Sequence, residues 1–451
     1  MSSHRDARSL ALELLVRVEQ GAHLDALVGD ALARFELPPR DAALFTRLAY
    51  GTVAWQLRLD WTATRLLDRP LAQLDPPVRA AVRLGLYQLF GLDRIPAHAA
   101  VDATVRAVRQ GGARGGAGLV NAVLRRAARE GERALPPRDA DPTTRLAIEW
   151  SHPEWLVRRW VGEFGEERAL QRLAADNEAA PTVLRVDPRI LSRDEALTRL
   201  RARDVAARPT EYARGGIVLD APLSSLGTGH DGENGGDADG CTPQGEASQL
   251  VVELLAPRAG ERLLDACAAP GGKSAAAAEV LAGSGWVLAA DRSLPGVRRV
   301  RDQALSRPRM HAIAADGTRP PWREGSFDAA LVDAPCSGLG TLRGHPEIRW
   351  RRQPETLASL ADLQGRLLAA TARLVSGGGR LVYATCTSTC EENEAVVAAF
   401  LREHAGWRRV DAKEWLAPAA APLVTSAGAL ETAPEIGGLD GFYAVRLERE
   451  S

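Results

Sequence analysis

Leu263-Leu264-Asp265-Ala266-Cys267-Ala268-Ala269-Pro270-Gly271-Gly272-Lys273-Ser274 is the stretch whose reading decides the fold. An apolar pair runs into an acid at Asp265. A turn carrying Pro270-Gly271-Gly272 follows, and then an alanine-rich run from Ser274 to Leu281 with helical composition. The order strand, glycine turn, helix is the βα unit of a parallel sheet. Glycines let the backbone approach a ligand, and the helix N-terminus behind them offers free N–H groups. An ordinary βα connection shares these features, so the chemistry has to come from residues beyond the turn.

Three binding readings compete. Gly272-Lys273-Ser274 ends like a P-loop, but that motif needs Gly at position 267, where this chain has Cys, and Pro270 lies inside the loop. The dinucleotide fingerprint G-x-G-x-x-G is absent. The third reading is a methyl-donor site, in which the strand-end acid and tight loop hold the methionine part of S-adenosylmethionine. A second acid after the next strand then takes the ribose hydroxyls. Trp286-Val287-Leu288-Ala289-Ala290 is such a strand, and Asp291 ends it nineteen residues after Gly272, close to the roughly 20 that this geometry expects.

Further strands are expected to end near the same edge. Asp316 follows the strand expected at 310–314. Ala329-Ala330-Leu331-Val332-Asp333-Ala334-Pro335-Cys336 brings an acid and a thiol to a strand end, and Tyr383-Ala384-Thr385-Cys386-Thr387 brings a second thiol. Leu331-Val332-Asp333 could be a Walker B acid only beside the P-loop already excluded. Cys386 and Cys390 are spaced C-x₃-C, but position 393 is Asn and no Cys/His partner pair stands nearby, so no metal is expected.

Residues 265–273 resemble the donor loop of the RNA (cytosine-C5)-methyltransferases, most closely the RsmB/Sun/Fmu type that methylates 16S ribosomal RNA. Thr385-Cys386-Thr387 followed by Glu391-Glu392-Asn393 matches the same family. The resemblance implies S-adenosylmethionine as cofactor, held by Cys267, Ala268, Ala269, Pro270, Gly271, Gly272, Lys273, Asp291, Asp316 and Asp333. Asp316 would contact the adenine amino group. It also implies Cys386 as nucleophile, Cys336 in proton removal and product release, and Asp333 at cytosine N3. Cys390 stands where the family often has Pro, and Gly245 where an acid is usual, so neither inherits a role.

The chemistry accounts for these residue types. Cytosine C5 is a poor nucleophile, and a thiolate adding at C6 places electron density on C5. That thiol must be partly ionised, the base must leave its stack to be reached, and the C5 proton must then depart. Two cysteines and an acid meet that need. Between the cysteines the residues alone do not choose, since both follow strands at one edge. The resemblance chooses Cys386.

The rest of the chain sorts into domains. Residues 1–135 read as helices throughout, with Leu10, Leu14 and Val18, then Val82, Leu86, Leu89 and Phe90, then Val120, Val123, Leu124 and Ala127 at helical spacing. Stretches 44–51, 84–96 and 119–125 resemble a NusB-like RNA-binding domain. A small α+β linking subdomain is expected over 143–225, a flexible Gly/Asp-rich loop over 226–241, and a Rossmann-like class I methyltransferase domain over 242–451. The basic, Trp-bearing loop 341–352 suggests that Arg343, Arg349 and Trp350 line an RNA path.

Composition restrains the reading further. The net charge of −1 on 451 residues excludes a globally basic nucleic-acid binder, so RNA must meet a local patch. Five cysteines are too few for a disulfide framework. No apolar run reaches 18 residues, and Arg5 to Glu19 mixes charge into its pattern, so neither membrane span nor signal peptide is expected. A cytoplasmic monomer acting on ribosomal RNA is the expectation. Transfer RNA as substrate and a non-catalytic NusB-like assembly factor are the alternatives.

Overall fold

The computed structural model describes residues 6–137, 140–221, 226, 240–281 and 283–451. Most of the expected loop 226–241 therefore lies outside the described residues. Contacts divide the chain into two compact units: Met1–Ala179 with Leu342–Arg351, and Ala180–Thr341 with Arg352–Ser451.

The first unit is helical. It runs α1 (Ala7–Glu19), α2 (Leu24–Arg34), α3 (Pro39–Ala54), α4 (Gln56–Leu66), α5 (Pro76–Phe90), α6 (Ala97–Gln110), α7 (Ala117–Glu130), α8 (Pro142–Trp150), α9 (Glu154–Phe164) and α10 (Glu166–Ala175). The Asp6 side chain caps α1 by accepting from Ser9 N at 2.8 Å, and proline opens α3, α5 and α8, where a missing N–H costs nothing. Leu10, Leu14, Val18, Val82, Leu86, Val120, Val123, Leu124 and Ala127 all enter one core. Helices α8–α10 belong by contacts to this unit. Hydrogen bonds tie the end of α8 to α4: Leu57 N donates to Ser151 Oγ at 3.0 Å, and Arg58 binds the Glu149 carbonyl.

The second unit opens with a small antiparallel sheet, β1 (Thr182–Val186), β2 (Ala207–Pro209), β3 (Gly216–Leu219) and β4 (Cys241–Pro243), with α11 (Arg193–Ala202) following β1. Its order is β2-β3-β1-β4. Next come α12 (Glu246–Leu255), β5 (Arg262–Asp265), α13 (Gly272–Val280), β6 (Trp286–Asp291), α14 (Leu294–Ala304), β7 (Met310–Ala314), β8 (Phe327–Asp333), α15 (Ile348–Arg351, within the helical unit), α16 (Glu355–Leu374), β9 (Val375–Thr385), α17 (Glu394–Glu403), β10 (Trp407–Val410), β11 (Leu430–Glu431) and β12 (Tyr443–Arg449).

These strands form one sheet in the order β10-β12-β9-β8-β5-β6-β7, with β11 beside β12. From β9 to β7 the strands are parallel, and β12 is antiparallel to both its neighbours β9 and β10. Leu263, Ala329, Leu331, Val382 and Ala384 face one apolar layer, and Leu264, Ala330, Val332, Leu381 and Tyr383 face the other. With both faces covered, strands read as unbroken apolar runs without alternation. Between β5 and β8 the strand order reverses, the place where open α/β sheets hold ligands at their carboxyl ends.

Candidate active site

The carboxyl ends of the parallel strands bring the predicted residues together. β5 ends at Asp265, β6 at Asp291, β8 at Asp333 and β9 at Thr385, one residue before Cys386. Asp333 lies level with Ala384, and Asp316 follows β7 by two residues.

The donor loop is built for close approach. Gly271 has φ +114°, and a Cβ there would meet Val300 Cα at 3.3 Å, so only glycine suits the position. Helix α13 starts immediately after it with no side-chain cap, leaving its first N–H groups for a carboxylate. Asp291 spans the loop, accepting from Ala269 N at 3.0 Å and Ser293 N at 2.8 Å. Asp316 is exposed, and the Thr318 amide and hydroxyl hold its carboxyl below the ordinary range. Asp265 is buried and accepts the Ser274 hydroxyl at 2.5 Å; burial pushes its pKa up to about 7. Arg185, paired with Glu279 of α13 at 2.7 Å, also donates to Gly272 O at 3.3 Å and so steadies the loop from the small sheet. These features fit S-adenosylmethionine: free helix amides for its carboxylate, a strand-end acid for its ribose, and a loop without side-chain bulk.

Beside this loop stand the thiols. Cys336 Sγ and Cys386 Sγ lie 3.3 Å apart. Lys273 Nζ pairs with Asp333 Oδ2 at 2.7 Å and sits 5.0 Å from the Phe442 ring centroid. Burial, the largest single influence, would lower the Lys273 pKa, but the Asp333 charge and hydrogen bond, with Cys386 and Asp265 behind them, together hold the ammonium above its ordinary value. Cys336 is pushed well above the ordinary thiol range, first by its contact with Cys386, then by burial and the Glu392 charge. Gly340 N donates to Cys386 O at 3.0 Å, and a Cβ on Gly340 would strike Gly441 O at 1.9 Å, so two glycines let the chain cross beneath Cys386. Cys390 is exposed and Cys241 buried, and none of the five cysteines is in a disulfide.

The loop reading needs a correction. Arg349 is fully buried: its guanidinium donates to Ser151 O at 3.2 Å, Asp176 O at 3.0 Å and Asn177 Oδ1 at 2.8 Å. Trp350 Nε1 donates to Val53 O at 2.8 Å. Both residues fasten Leu342–Arg351 into the helical unit and are not displayed to RNA; Arg343 beside them is half-buried. A sequence cannot tell an arginine that binds carbonyls from one that binds phosphate, since the same donors serve both. Missed from sequence altogether were the roles of Arg352, which holds the Ser337 and Cys336 carbonyls at 2.7 and 3.2 Å, and of Ser337, Thr387 and Glu392. In the helical unit ligand atoms of His23, Asp25 and Glu347 lie within 4.8 Å of one another, but Glu347 already accepts from Leu24 N at 3.1 Å.

A doubly covered parallel sheet with one reversed strand, an uncapped glycine-loop helix and acids at successive strand ends defines an S-adenosylmethionine-dependent methyltransferase. Three family models match: 16S rRNA methyltransferase RsmB/F over residues 252–448, the NusB family over 5–129, and the RsmF/B-like ferredoxin-like domain over 152–225. Ribosomal RNA small subunit methyltransferase B of Pseudomonas putida is 38% identical, covering 98% of this chain and 97% of its own. The probable counterpart in Bacillus subtilis is 35% identical, covering 98% of each. The crystal structure of PH0851 superposes with TM-score 0.84 at 23% identity over 99% of both chains. The chain belongs to the RsmB/F family of 16S rRNA methyltransferases. Its expected three-part fold, with a NusB helical domain, a ferredoxin-like subdomain and a Rossmann-like sheet, is therefore the family's fold.

Proposed function

We propose that this protein methylates C5 of a cytosine in 16S ribosomal RNA, in the cytoplasm, through a covalent bond between Cys386 and cytosine C6. The observation that carries this reading is the 3.3 Å pair of thiols beside the Lys273–Asp333 pair. When bound, S-adenosylmethionine supplies an electrophilic methyl group, and the donor loop with Asp291 and Asp316 would hold it.

The Cys386 thiolate adds to C6, and the C5–C6 electrons become available at C5. Charge that develops towards N3 falls beside Asp333, where the proton held between Lys273 Nζ and Asp333 Oδ2 neutralises it. After the methyl has been taken up at C5, that carbon carries both methyl and proton. Cys336, as thiolate, removes the proton, the C5–C6 double bond re-forms, Cys386 leaves as thiolate, and N3 returns its proton to the Lys273–Asp333 pair. A thiol held high in pKa is the stronger base once deprotonated, which suits Cys336 to this step.

The two cysteines differ in what their variants accumulate. With 16S RNA and S-adenosylmethionine, Cys386→Ala is expected to give neither product nor RNA-linked protein. Cys336→Ala is expected to build up protein cross-linked to RNA on a denaturing gel. The reverse pattern would assign the nucleophile to Cys336. A methylated base other than 5-methylcytosine in the digested RNA would overturn the reaction itself.

A further inference from the structure

Glu392 is fully buried, and among the described residues no cation pairs with it. Its carboxylate accepts four hydrogen bonds. Oε1 takes Ser337 N at 2.8 Å and Gln364 Nε2 at 3.0 Å, and Oε2 takes the Ser337 hydroxyl at 2.6 Å and the Thr389 hydroxyl at 2.7 Å. Because the single Ser337 proton is spent on Glu392, the Ser337 oxygen accepts from Thr387 Oγ1 at 2.7 Å. A relay therefore runs from Thr387 through Ser337 to Glu392, with one sense only.

Ser337 is the residue after Cys336, and Thr387 the residue after Cys386. Asn393 completes the frame: its Oδ1 accepts from Thr385 Oγ1 at 2.5 Å, and its Nδ2 donates to Thr387 O at 2.9 Å. The Glu392 carbonyl itself accepts the Tyr383 hydroxyl at 2.5 Å. Residues on both sides of Cys386 and the residue beside Cys336 thus hang from one dipeptide. A buried carboxylate without a counter-charge is a poor way to stabilise a core, since apolar packing would be as good or better. What it does supply is direction: four fixed acceptor sites that only one arrangement of the two loops satisfies.

We infer that Glu392 is a positioning residue that sets the separation of the Cys336 and Cys386 thiols through Ser337 and Thr387. Its consequence for catalysis rests on the methyl-transfer reading above; the geometric claim does not. Glu392→Gln separates position from charge. The Gln oxygen keeps the Ser337 N and Gln364 bonds, its amide nitrogen donates to the Ser337 and Thr389 oxygens, and the Ser337 hydroxyl turns to donate to Thr387. The heavy-atom contacts are kept without the charge, and only the Thr387 and Thr389 hydroxyl protons have to turn to other acceptors.

The test uses the full chain and two readouts. The first is the rate at which diamide converts the two thiols to a Cys336–Cys386 disulfide, identified by peptide mass. The thiols lose two protons and two electrons, and the N=N bond of diamide is reduced to NH–NH. The second is kcat for methyl transfer, with KM for S-adenosylmethionine measured beside it. Glu392→Gln should stay within about threefold of the natural protein in both, whereas Glu392→Ala should slow disulfide formation at least about tenfold and lower kcat about a hundredfold, as a displacement near 1 Å does, with the donor KM unchanged. Thr387→Val breaks the relay without opening a cavity and should shift both readouts the same way, which keeps the test valid if Glu392→Ala does not fold. Unchanged disulfide rates in Thr387→Val and Glu392→Ala would overturn the inference. So would a Glu392→Gln protein with a normal disulfide rate but the kcat of Glu392→Ala, because charge and not position would then matter. If the RNA substrate reading fails, no kcat is measured for any form, and the disulfide rates still decide.

Discussion

At Asp265 burial writes a pH dependence into the donor loop. Its carboxyl titrates near pH 7 in the folded chain against 3.8 when unperturbed. The folded state therefore binds this proton more tightly, so the associated stability is complete below pH 3.8 and is lost as pH rises through 7. The effect amounts to at most about 4 kcal/mol. Between pH 5 and 8 the melting temperature of the natural protein should fall more steeply than that of Asp265→Asn, whose side chain has no proton to lose; parallel curves would remove Asp265 as the cause. Asp291 makes the complementary case, since its carboxylate organises the loop from Ala269 N to Ser293 N. Asp291→Ala is expected to weaken S-adenosylmethionine binding by about 1.5–3 kcal/mol, the usual value of a charge-assisted bond. Titration calorimetry that finds unchanged affinity would take it out of the pocket.

Among the elements, those with a strong local signal were legible. The strands read before Asp265, over Trp286–Ala290, over 310–314, before Asp333 and before Cys386 correspond to β5, β6, β7, β8 and β9, and the glycine loop and the two cysteine motifs follow three of them. β5, β6 and β8 carry a continuous apolar run that ends in an acid, which is the look of a doubly covered strand. The short β2, β4, β10 and β11 were not legible, because two to four residues carry no period and depend on a partner strand. The frame around Glu392 was hidden for another reason. Thr387, Thr389 and Glu392 lie in the 385–393 stretch, but nothing local joins them to Ser337 and Gln364, which complete the frame. Segment Leu342–Arg351 misled, because a basic loop with a tryptophan has the composition of an RNA contact, while its arginine is consumed by helix-end carbonyls. Arg349→Ala should accordingly lower the melting temperature, at a cost of about 1–3 kcal/mol for the buried carbonyls left unpaired. RNA affinity should not change at a temperature where the variant is folded; a loss of affinity with unchanged melting would restore the RNA-contact reading.

For the whole molecule the same segment decides what can be cut apart. The helical unit takes ten residues from the middle of the methyltransferase sequence, and Trp350 packs against its core. A fragment ending at residue 179 contains α1–α10 but lacks this piece. It should melt at a lower temperature than the corresponding transition in the full chain, and a synthetic peptide of residues 342–351 should raise its melting point. A fragment that melts like the full chain and ignores the peptide would show the segment to be a passenger.

Lys273 has a last consequence, because it is one of only two lysines in the chain. Lys413 stands exposed in a short turn, while the Lys273 ammonium is covered and kept protonated by Asp333. Acylating reagents attack the neutral amine, so they mark Lys413 and spare Lys273. The protein thereby carries its own footprinting scale, with one lysine as the internal standard and the other as the gauge. Whatever draws Asp333 away from its partner, whether a base entering the pocket or a substitution, registers as label gained at Lys273.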